Sequence, residues 1–271
     1  MPIYHVVRSR VSPSDTPCHA QAVILLSGFS SEMRPLTLTL PLPLLEFCNT
    51  PFVRHQLQAL KDAGVTEVIF CVRERSSNAS WDQSIKQIEA DLGIKITTRR
   101  EPSELGTAGP LKHAEDLITD DGTCDSPFFL VNSDVLCSYP LRDLLHTHMK
   151  HGKECTMLVT RTEKPSDYGV VVCDDKTGRV QHFVEKPETF VSDLINAGVY
   201  VFSPSFLARI PAGQKVSMNE VLPKMALEEQ MQSHLLTGYW VRARPPKKLP
   251  CYAWDLHHPS TDGPAFNHAR R

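Results

Sequence analysis

AVILLSGFSSEMRPLTLTLPLPLLEFCNTP, residues 22–51, is the stretch of sequence that decides the fold of this chain. It opens with five apolar residues, Ala22 to Leu26, which predict a buried strand. The strand runs into Ser27, Gly28 and further small residues, which predict a turn. After the first strand of an open α/β sheet, such a turn presents backbone N–H groups that favour anions. The stretch therefore predicts a phosphate-facing turn.

Helical and strand patterns alternate after this stretch. Residues 52–63 carry apolar side chains at helical spacing, Gly64 ends that helix, and residues 65–72 read as a buried strand. Further helices are predicted over 81–92, 111–117, 141–151 and 217–229, and further strands over 93–98, 127–135, 155–160, 169–173, 181–185 and 195–202. Because strands first alternate with helices and then cluster, we expect a three-layer, Rossmann-like α/β fold with a mostly parallel mixed sheet.

Composition excludes several classes of protein. With 29 basic and 31 acidic residues and a net charge of −2, the chain does not favour a nucleic-acid partner. It has no apolar run near the ~18 residues of a membrane span and no signal-like start, so we expect no membrane association and a cytoplasmic location. The eight cysteines are scattered without a C-x-x-C pair, which predicts reduced, structural thiols.

The chain divides into three parts by composition. Residues 1–20 are polar and predict an N-terminal extension, and residues 21–240 carry the regular patterns of one domain. From residue 241 to 271, proline and basic residues dominate, which predicts an irregular tail.

Three histidines, His146, His148 and His151, fall on the predicted helix 141–151. No carboxylate or cysteine completes a metal site at their spacing. We therefore expect a solvated helical face.

The segment SGFSSEMRPLTLTLPLP, residues 27–43, resembles the signature G-G-x-G-T-R-x-R-P-x-T-x-x-x-P-K-P of sugar-1-phosphate nucleotidyltransferases. Within that family, the segment is most similar in sequence to the mannose-1-phosphate guanylyltransferase branch. The matching residues are Gly28, Arg34, Pro35, Thr37, Pro41 and Pro43. The resemblance implies the nucleotidyltransferase fold, nucleotide contacts at Leu26 and Gly28, and a family β-helix domain that is absent from this chain.

The resemblance breaks at three charged positions. Glu32 stands where the family has the triphosphate-binding Arg, and Leu42 stands where it has the Lys of P-K-P. The family's second metal-binding Asp follows two residues after the Trp of G-[FY]-W-x-D; here Trp240 is present and Arg242 takes the Asp position. Asp255, which follows a later Trp, has no supporting spacing.

The loop ELGTAGPL, residues 104–111, resembles the base-reading loop of the family. There Gly106 permits close backbone approach and Thr107 is small enough for a purine to lie against it. The alternative is a glycine-punctuated helix start that Thr107 caps.

Asp134 follows an apolar strand and is expected at the carboxyl edge of the sheet, facing the ligand crevice. The resemblance implies that it is the first ligand of Mg²⁺, whose binding would be weakened because one of two family ligands remains. The alternative is an Asp that caps the next loop.

Three motifs, D-Y-G, E-K-P and N-A-G, resemble the sugar side of the family's active site, and they follow the base-reading loop in the family's order. The resemblance implies that a Glu accepts from sugar hydroxyls and that a Lys clamps the sugar 1-phosphate. The sugar and phosphate residues expected here are Tyr168, Gly169, Glu185, Lys186 and Asn196.

The expected reaction joins GTP and mannose 1-phosphate to give GDP-mannose and pyrophosphate. Such a transfer needs charge neutralisation and in-line positioning. With Glu32, Leu42 and Arg242 at charged sites, we expect lost or much reduced catalysis and retained binding of GTP or GDP-mannose and of mannose 1-phosphate. Two alternatives stay open: an active enzyme with a rewired phosphate site, and a regulatory partner in a homo- or hetero-oligomer with an active paralogue.

Overall fold

The computed structural model describes residues 21–26, 33–38, 40–73, 79–120, 122 and 125–243. The helices are α1 (Phe52–Asp62), α2 (Ala79–Leu92), α3 (Gly109–His113), α4 (Glu115–Ile118), α5 (Leu141–His151) and α6 (Met218–Leu227). The strands are β1 (Gln21–Leu26), β2 (Glu46–Phe47), β3 (Thr50–Pro51), β4 (Glu67–Arg73), β5 (Lys95–Glu101), β6 (Phe128–Asn132), β7 (Val135–Cys137), β8 (Cys155–Arg161), β9 (Gly169–Cys173), β10 (Val180–Glu185), β11 (Leu194–Phe202), β12 (Met231–Leu235) and β13 (Trp240–Arg242).

A nine-stranded mixed sheet forms the centre of the molecule. The strand order is β10-β9-β11-β6-β1-β4-β5, and β8 joins β12 to β11. β1 runs parallel to β4 and β6, and β4 runs parallel to β5, whereas β11 runs antiparallel to β6 and β8. The pairs β2–β3 and β7–β13 are separate antiparallel ribbons. The predicted mixed α/β sheet is confirmed.

Helices cover both faces of the sheet because the side chains of β1 alternate between two apolar clusters. Ile24 belongs to the cluster that holds Leu57 of α1 together with the apolar sides of α2 and α5. Val23 belongs to the opposite cluster, which holds Leu222 of α6 and residues of α3 and α4. A fully buried side chain such as Ile24 contributes roughly 1.5–3 kcal/mol to folding. The result is the predicted three-layer arrangement.

Most predicted segments agree with the structure: the predicted strand 169–173 is β9, and the predicted strands 155–160 and 181–185 differ from β8 and β10 by one residue. α5 begins and ends as predicted, and Gly152 closes it in the left-handed conformation with φ 63°. The predicted strand 127–135 is instead two strands separated by a turn at Ser133 and Asp134. The predicted helix 111–117 lies across two short helices, α3 and α4.

The predicted irregular tail begins too early. Val241 and Arg242 belong to β13, which pairs with β7 over three residues. A three-residue strand has too few positions for period-2 alternation to be visible in sequence. The remainder of the predicted tail, from residue 244, and the predicted extension, residues 1–20, lie outside the described residues.

His148 is buried rather than solvated, so the prediction for this helical face is wrong there. Its two ring nitrogens lie 2.9 Å from Thr156 Oγ1 and 3.0 Å from Ser203 Oγ. His151 Nε2 lies 2.7 Å from the same Thr156 hydroxyl. These contacts between α5 and β8 satisfy the buried imidazole, which is the condition for burying a polar ring at low cost.

The cysteines and the membrane prediction complete the description. Within the described ranges, Cys48, Cys71, Cys137, Cys155 and Cys173 are free thiols. In the same part of the chain, no helix has the length and apolar character that crossing a membrane requires.

Candidate functional site

The candidate site lies at the carboxyl ends of the parallel strands β1 and β6, the edge at which open α/β sheets have their ligand crevice. Residues 25 and 132 are partners in the parallel register, and Ser133 N donates to Leu25 O at 3.3 Å. The end of β1 at Leu26 therefore lies beside the turn that carries Asp134, as expected for a ligand site in an open α/β sheet. Gly28 and Glu32, which follow Leu26 in the signature segment, lie outside the described residues.

Gln56 of α1 holds the turn that presents Asp134. Its side-chain Nε2 donates to Asn132 O at 2.9 Å and to Val135 O at 2.8 Å, on either side of the turn. Gln56 is 1% exposed, so these bonds lie in a region of low dielectric where an unmade hydrogen bond is costly. Sequence reasoning missed this residue, although a polar side chain within the apolar stripe of α1 is a visible signal.

Arg242 pairs with Asp134. The ribbon β7–β13 sets Arg242 opposite Val135, and Ala243 N donates to Asp134 O at 2.6 Å. The Arg242 Nε then donates to Asp134 Oδ2 at 2.6 Å. The side chains are 42% and 20% exposed, so the pair contributes only about 0–1 kcal/mol to stability. Its effect is chemical: a fixed cation stands directly beside the carboxylate.

The residues around Asp134 do not fit a divalent cation. Mg²⁺ takes oxygen ligands in near-octahedral geometry, commonly from carboxylates. Here one Asp134 oxygen accepts from a guanidinium, and across the described ranges there is no group of three or more His, Cys, Asp or Glu side chains that could hold a metal ion. A unit charge about 4 Å from Arg242 would meet a repulsion of roughly 4 kcal/mol near a protein surface. Mg²⁺ at Asp134 stays a prediction, and no step below uses it.

Leu42 lies in the core instead of facing the crevice. It is 2% exposed and belongs to the apolar cluster of Phe47, Phe52 and Leu136. It sits in a short 3₁₀ turn, Leu42–Leu44, with Pro43 at its second position. The position at which the resemblance implies a phosphate-binding Lys is thus filled by a buried apolar side chain.

Gly169 and Glu185 are cross-strand partners on β9 and β10. A Cβ built on Gly169 would lie 3.0 Å from Glu185 Oε2 and 2.6 Å from Phe183 Cζ, so the glycine lets the carboxylate lie across the strand. Lys186 follows with φ 44°, and its N–H donates to Tyr168 O at 3.0 Å. The sequence-predicted sugar residues on these strands are therefore brought together, with Glu185 and Lys186 both exposed.

Asn196 shapes a bulge in β11. Its Oδ1 accepts from Gly198 N at 2.9 Å, and its Nδ2 donates to the Tyr200 hydroxyl at 2.6 Å. Gly198 has φ 77°, a conformation that side chains rarely adopt. The amide thus has a structural role in the N-A-G motif. These two bonds use one of its two amide hydrogens and one of the two lone pairs of Oδ1.

Trp240 contacts the predicted sugar residues and lies on the same strand as Arg242. Its indole Nε1 donates to Ala197 O at 2.9 Å, and its ring meets the Tyr168 ring edge-on with centroids 5.4 Å apart. Two residues later on the same strand, Arg242 reaches Asp134. The sugar-side residues and the Asp134–Arg242 pair therefore form one continuous wall.

The pKa of the Tyr200 hydroxyl responds to charges on both parts of this wall. Burial raises the pKa of its hydroxyl well above the usual range, and the Asn196 hydrogen bond opposes that rise. The charge of Arg242 lowers the pKa of this hydroxyl, and the charge of Glu185 raises it. The guanidinium and the carboxylate thus act on the pKa of this hydroxyl in opposite directions.

The loop around Gly106 and Thr107 packs against the start of α6. A Cβ on Gly106, which has φ 80°, would lie 2.3 Å from Val216 O. Thr107 Oγ1 accepts from Met218 N at 2.8 Å and lies 3.4 Å from the Ser217 hydroxyl. Thr107 therefore accepts from the first N–H of α6, whose N-cap is Ser217, and it does not cap the adjacent helix as the alternative interpretation expected. Base contacts at Gly106 and Thr107 stay a prediction.

Comparison with known proteins identifies the relatives of this chain. The Nucleotidyl transferase family model matches residues 21–242. "Mannose-1-phosphate guanylyltransferase catalytic subunit beta" of Danio rerio is 46% identical over 227 residues, and "Mannose-1-phosphate guanyltransferase beta-A" of Xenopus laevis is 45% identical over 227 residues. Each alignment covers 84% of this chain and 62% of the relative, so the chain spans about 62% of the length of these relatives.

Solved structures show the same fold at low sequence identity. A UDP-glucose pyrophosphorylase complexed with UDP-glucose has a TM-score of 0.72 at 17% identity, over 89% of this chain and 100% of the other. A UDP-glucose pyrophosphorylase from Acinetobacter baumanii has a TM-score of 0.73 at 14% identity, over 89% and 95%. These likenesses confirm the architecture.

Proposed function

Because the chain belongs to the nucleotidyl transferase family, we propose that it is a mannose-1-phosphate guanylyltransferase-like protein that binds sugar nucleotide but has lost or much reduced catalysis. The reaction in question is attack of a mannose 1-phosphate oxygen on the α-phosphate of GTP, with pyrophosphate leaving. The names of the relatives support this substrate class. The observation that carries the loss of catalysis is the Asp134–Arg242 ion pair.

On the sugar side, the charged groups of Glu185 and Lys186 are exposed. Glu185 would accept hydrogen bonds from sugar hydroxyls, and Lys186 would hold the 1-phosphate as a compact cation. The left-handed backbone at Lys186 and its bond to Tyr168 O fix the direction in which this lysine leaves the strand. Tyr168, Gly169 and Asn196 would complete the sugar contacts.

The phosphate side of the site comprises Leu42, Asp134 and Arg242. There, groups that would stabilise the transition state in the family are replaced. Leu42 is buried, so it offers nothing to a triphosphate. Arg242 engages the carboxylate that a metal ion would need. Losing one preorganised charge stabiliser typically lowers the rate by ~10²–10³, although such effects do not add. Two or more losses therefore support very slow turnover.

A turnover assay tests this proposal. Purified protein is incubated with GTP, mannose 1-phosphate and Mg²⁺, and pyrophosphate release is followed beside a curated relative as the positive control. We expect a rate at least ~10³-fold below an ordinary turnover. A turnover near about one per second would contradict the loss of catalysis and favour an active enzyme with a rewired phosphate site.

A homo- or hetero-oligomer with an active paralogue is a further proposal from the same family membership. Size-exclusion chromatography of this protein alone, and mixed with a catalytic relative, tests it. A shared elution peak with a raised or lowered activity of the relative supports a regulatory role, and separate elution contradicts it.

A further inference from the structure

We propose that the Arg242 guanidinium takes the place of a divalent cation beside Asp134, so that this protein binds the diphosphate of a sugar nucleotide without Mg²⁺. The inference rests on the proposed sugar-nucleotide binding and deepens it. It assigns to Arg242 the role of an anion-binding residue that touches the ligand's phosphate. It also predicts that a metal ion is excluded from the site.

The position of the guanidinium is fixed by backbone and side chain together. Arg242 lies opposite Val135 in the β7–β13 ribbon, and the next residue, Ala243, donates its N–H to Asp134 O at 2.6 Å. The side-chain bond from Nε to Asp134 Oδ2 is equally short. Gln56 also holds the same turn through its bonds to Asn132 O and Val135 O. The cation is therefore preorganised before any ligand arrives, as a bound metal ion would be.

The Arg242 side chain also reaches the surface of the protein. The Arg242 side chain is 42% exposed, at the edge where the parallel strands end. Arginine presents a planar fork of donors that matches phosphate oxygens, and it stays charged at every relevant pH. Trp240, two residues before Arg242 on β13, packs against the Tyr168 ring with centroids 5.4 Å apart, so the strand that carries the guanidinium also contacts the sugar-side residues. A sugar nucleotide seated there would bring its diphosphate next to Arg242.

A simple structural ion pair is the competing explanation. Exposed ion pairs contribute little to stability, and removing one changes few other properties. Such a pair would make no difference to ligand affinity or to metal dependence. The two explanations therefore differ in what a binding experiment measures.

Calorimetric titration with GDP-mannose provides the first test. The unaltered protein is titrated with excess Mg²⁺ and again with EDTA, and we expect the two affinities to agree within about twofold, since no metal takes part. Arg242→Gln should weaken binding about tenfold in both buffers, the usual effect of one charge-assisted hydrogen bond. Arg54→Gln is the matched control, because Arg54 forms a similar partly exposed pair with Asp91 at 2.8 Å. It should bind as the unaltered protein does.

The outcomes separate this inference from the proposed function. Binding that requires Mg²⁺ would overturn the inference and leave the proposed function in place. An Arg242→Gln protein that binds as well as the unaltered one would also overturn it. Absence of GDP-mannose binding in both buffers would overturn the inference and the proposed function together.

A metal titration gives a second readout that needs no sugar nucleotide. Mn²⁺ is added and its free fraction is followed by electron paramagnetic resonance. Arg242→Asp places a second carboxylate beside Asp134, so we expect this variant to bind Mn²⁺ and the unaltered protein to leave it free. Arg54→Asp, which faces Asp91 in the same way, controls for the change of charge. Mn²⁺ bound equally by the unaltered protein and Arg242→Asp would overturn the inference.

Discussion

The two sides of the crevice share a scaffold but differ in what their side chains are free to do. On the sugar side, Glu185 and Lys186 are exposed, and the backbone around Gly169 is shaped to let the carboxylate lie across the strand. On the phosphate side, Leu42 has joined the core and Asp134 is paired with Arg242. Under the proposed function, the difference teaches that the fold of a site and its chemistry can be separated, because strands and turns keep their positions while individual side chains change.

The largest expected effect concerns Leu42, where the comparison can be broken outright. Leu42→Lys puts an ammonium group where the resemblance implies one, but this position is buried, so we expect destabilisation of about 3 kcal/mol or more without any gain of turnover. Urea unfolding measures the stability. The matched control is Leu38→Lys, because Leu38 is 62% exposed and should change stability by less than about 0.5 kcal/mol. A stable Leu42→Lys protein with restored turnover would contradict this expectation. It would show that the other groups of the phosphate side can still perform the reaction.

Low pH is expected to lower the stability of the scaffold that both sides of the site share. Burial lowers the pKa of His148 to about 4, and the neighbouring His151 charge acts in the same direction. Because the unfolded chain takes up the proton near 6.5, it binds more protons than the folded protein between these values, so stability falls as the pH drops through this window. For His148 alone we expect a loss of roughly 2–3 kcal/mol between neutral pH and about pH 4.5.

Urea unfolding over a pH series measures this loss. Burial lowers the pKa of His151 to about 4 as well, so His148→Gln should remove only part of the acid dependence. Identical pH dependence in the variant and the unaltered protein would show that His148 does not titrate in this way. Ligand binding is best compared near neutral pH, where this effect is absent.

Lys186 sharpens the sugar side of the comparison. Lys186→Met removes the charge and keeps much of the side-chain length, and we expect about tenfold weaker binding of mannose 1-phosphate, because one charge-assisted bond is lost. Calorimetry measures the affinity. Lys176→Met, at another exposed lysine in the β9–β10 turn, should bind normally. Equal affinities of the two variants would remove Lys186 from the site.

The smallest expected effect concerns Gln56, which supports the phosphate side. Gln56→Leu removes the donor from the Asn132 carbonyl, while the Val135 carbonyl keeps the Tyr139 hydroxyl, so we expect a loss of about 1 kcal/mol and faster hydrogen exchange in the turn that holds Asp134. Gln58→Leu controls for the substitution, since Gln58 lies on the exposed face of α1 and bonds Asp62 there. Unchanged exchange in Gln56→Leu would mean that the β7–β13 ribbon alone fixes the turn.

Most of the fold was predictable because its segments are long and periodic. α5 was predicted to the residue, since its apolar stripe ends at Gly152. The contacts of the candidate site were less accessible. Arg242 meets Asp134 across 108 residues, through a three-residue strand that shows no pattern in the sequence. Thr107 accepts a hydrogen bond from the first N–H of a helix that begins 111 residues later. Motif resemblance predicts the residues of the candidate site, but only tertiary structure shows the partners of their side chains.

Titrating the unaltered protein by calorimetry with mannose 1-phosphate and, separately, with GTP compares the two sides of the crevice directly. An intact sugar side and an altered phosphate side predict that mannose 1-phosphate binds measurably and that GTP binds at least about tenfold more weakly. If GTP bound more tightly and mannose 1-phosphate showed no binding, the assignment of the two sides would be contradicted.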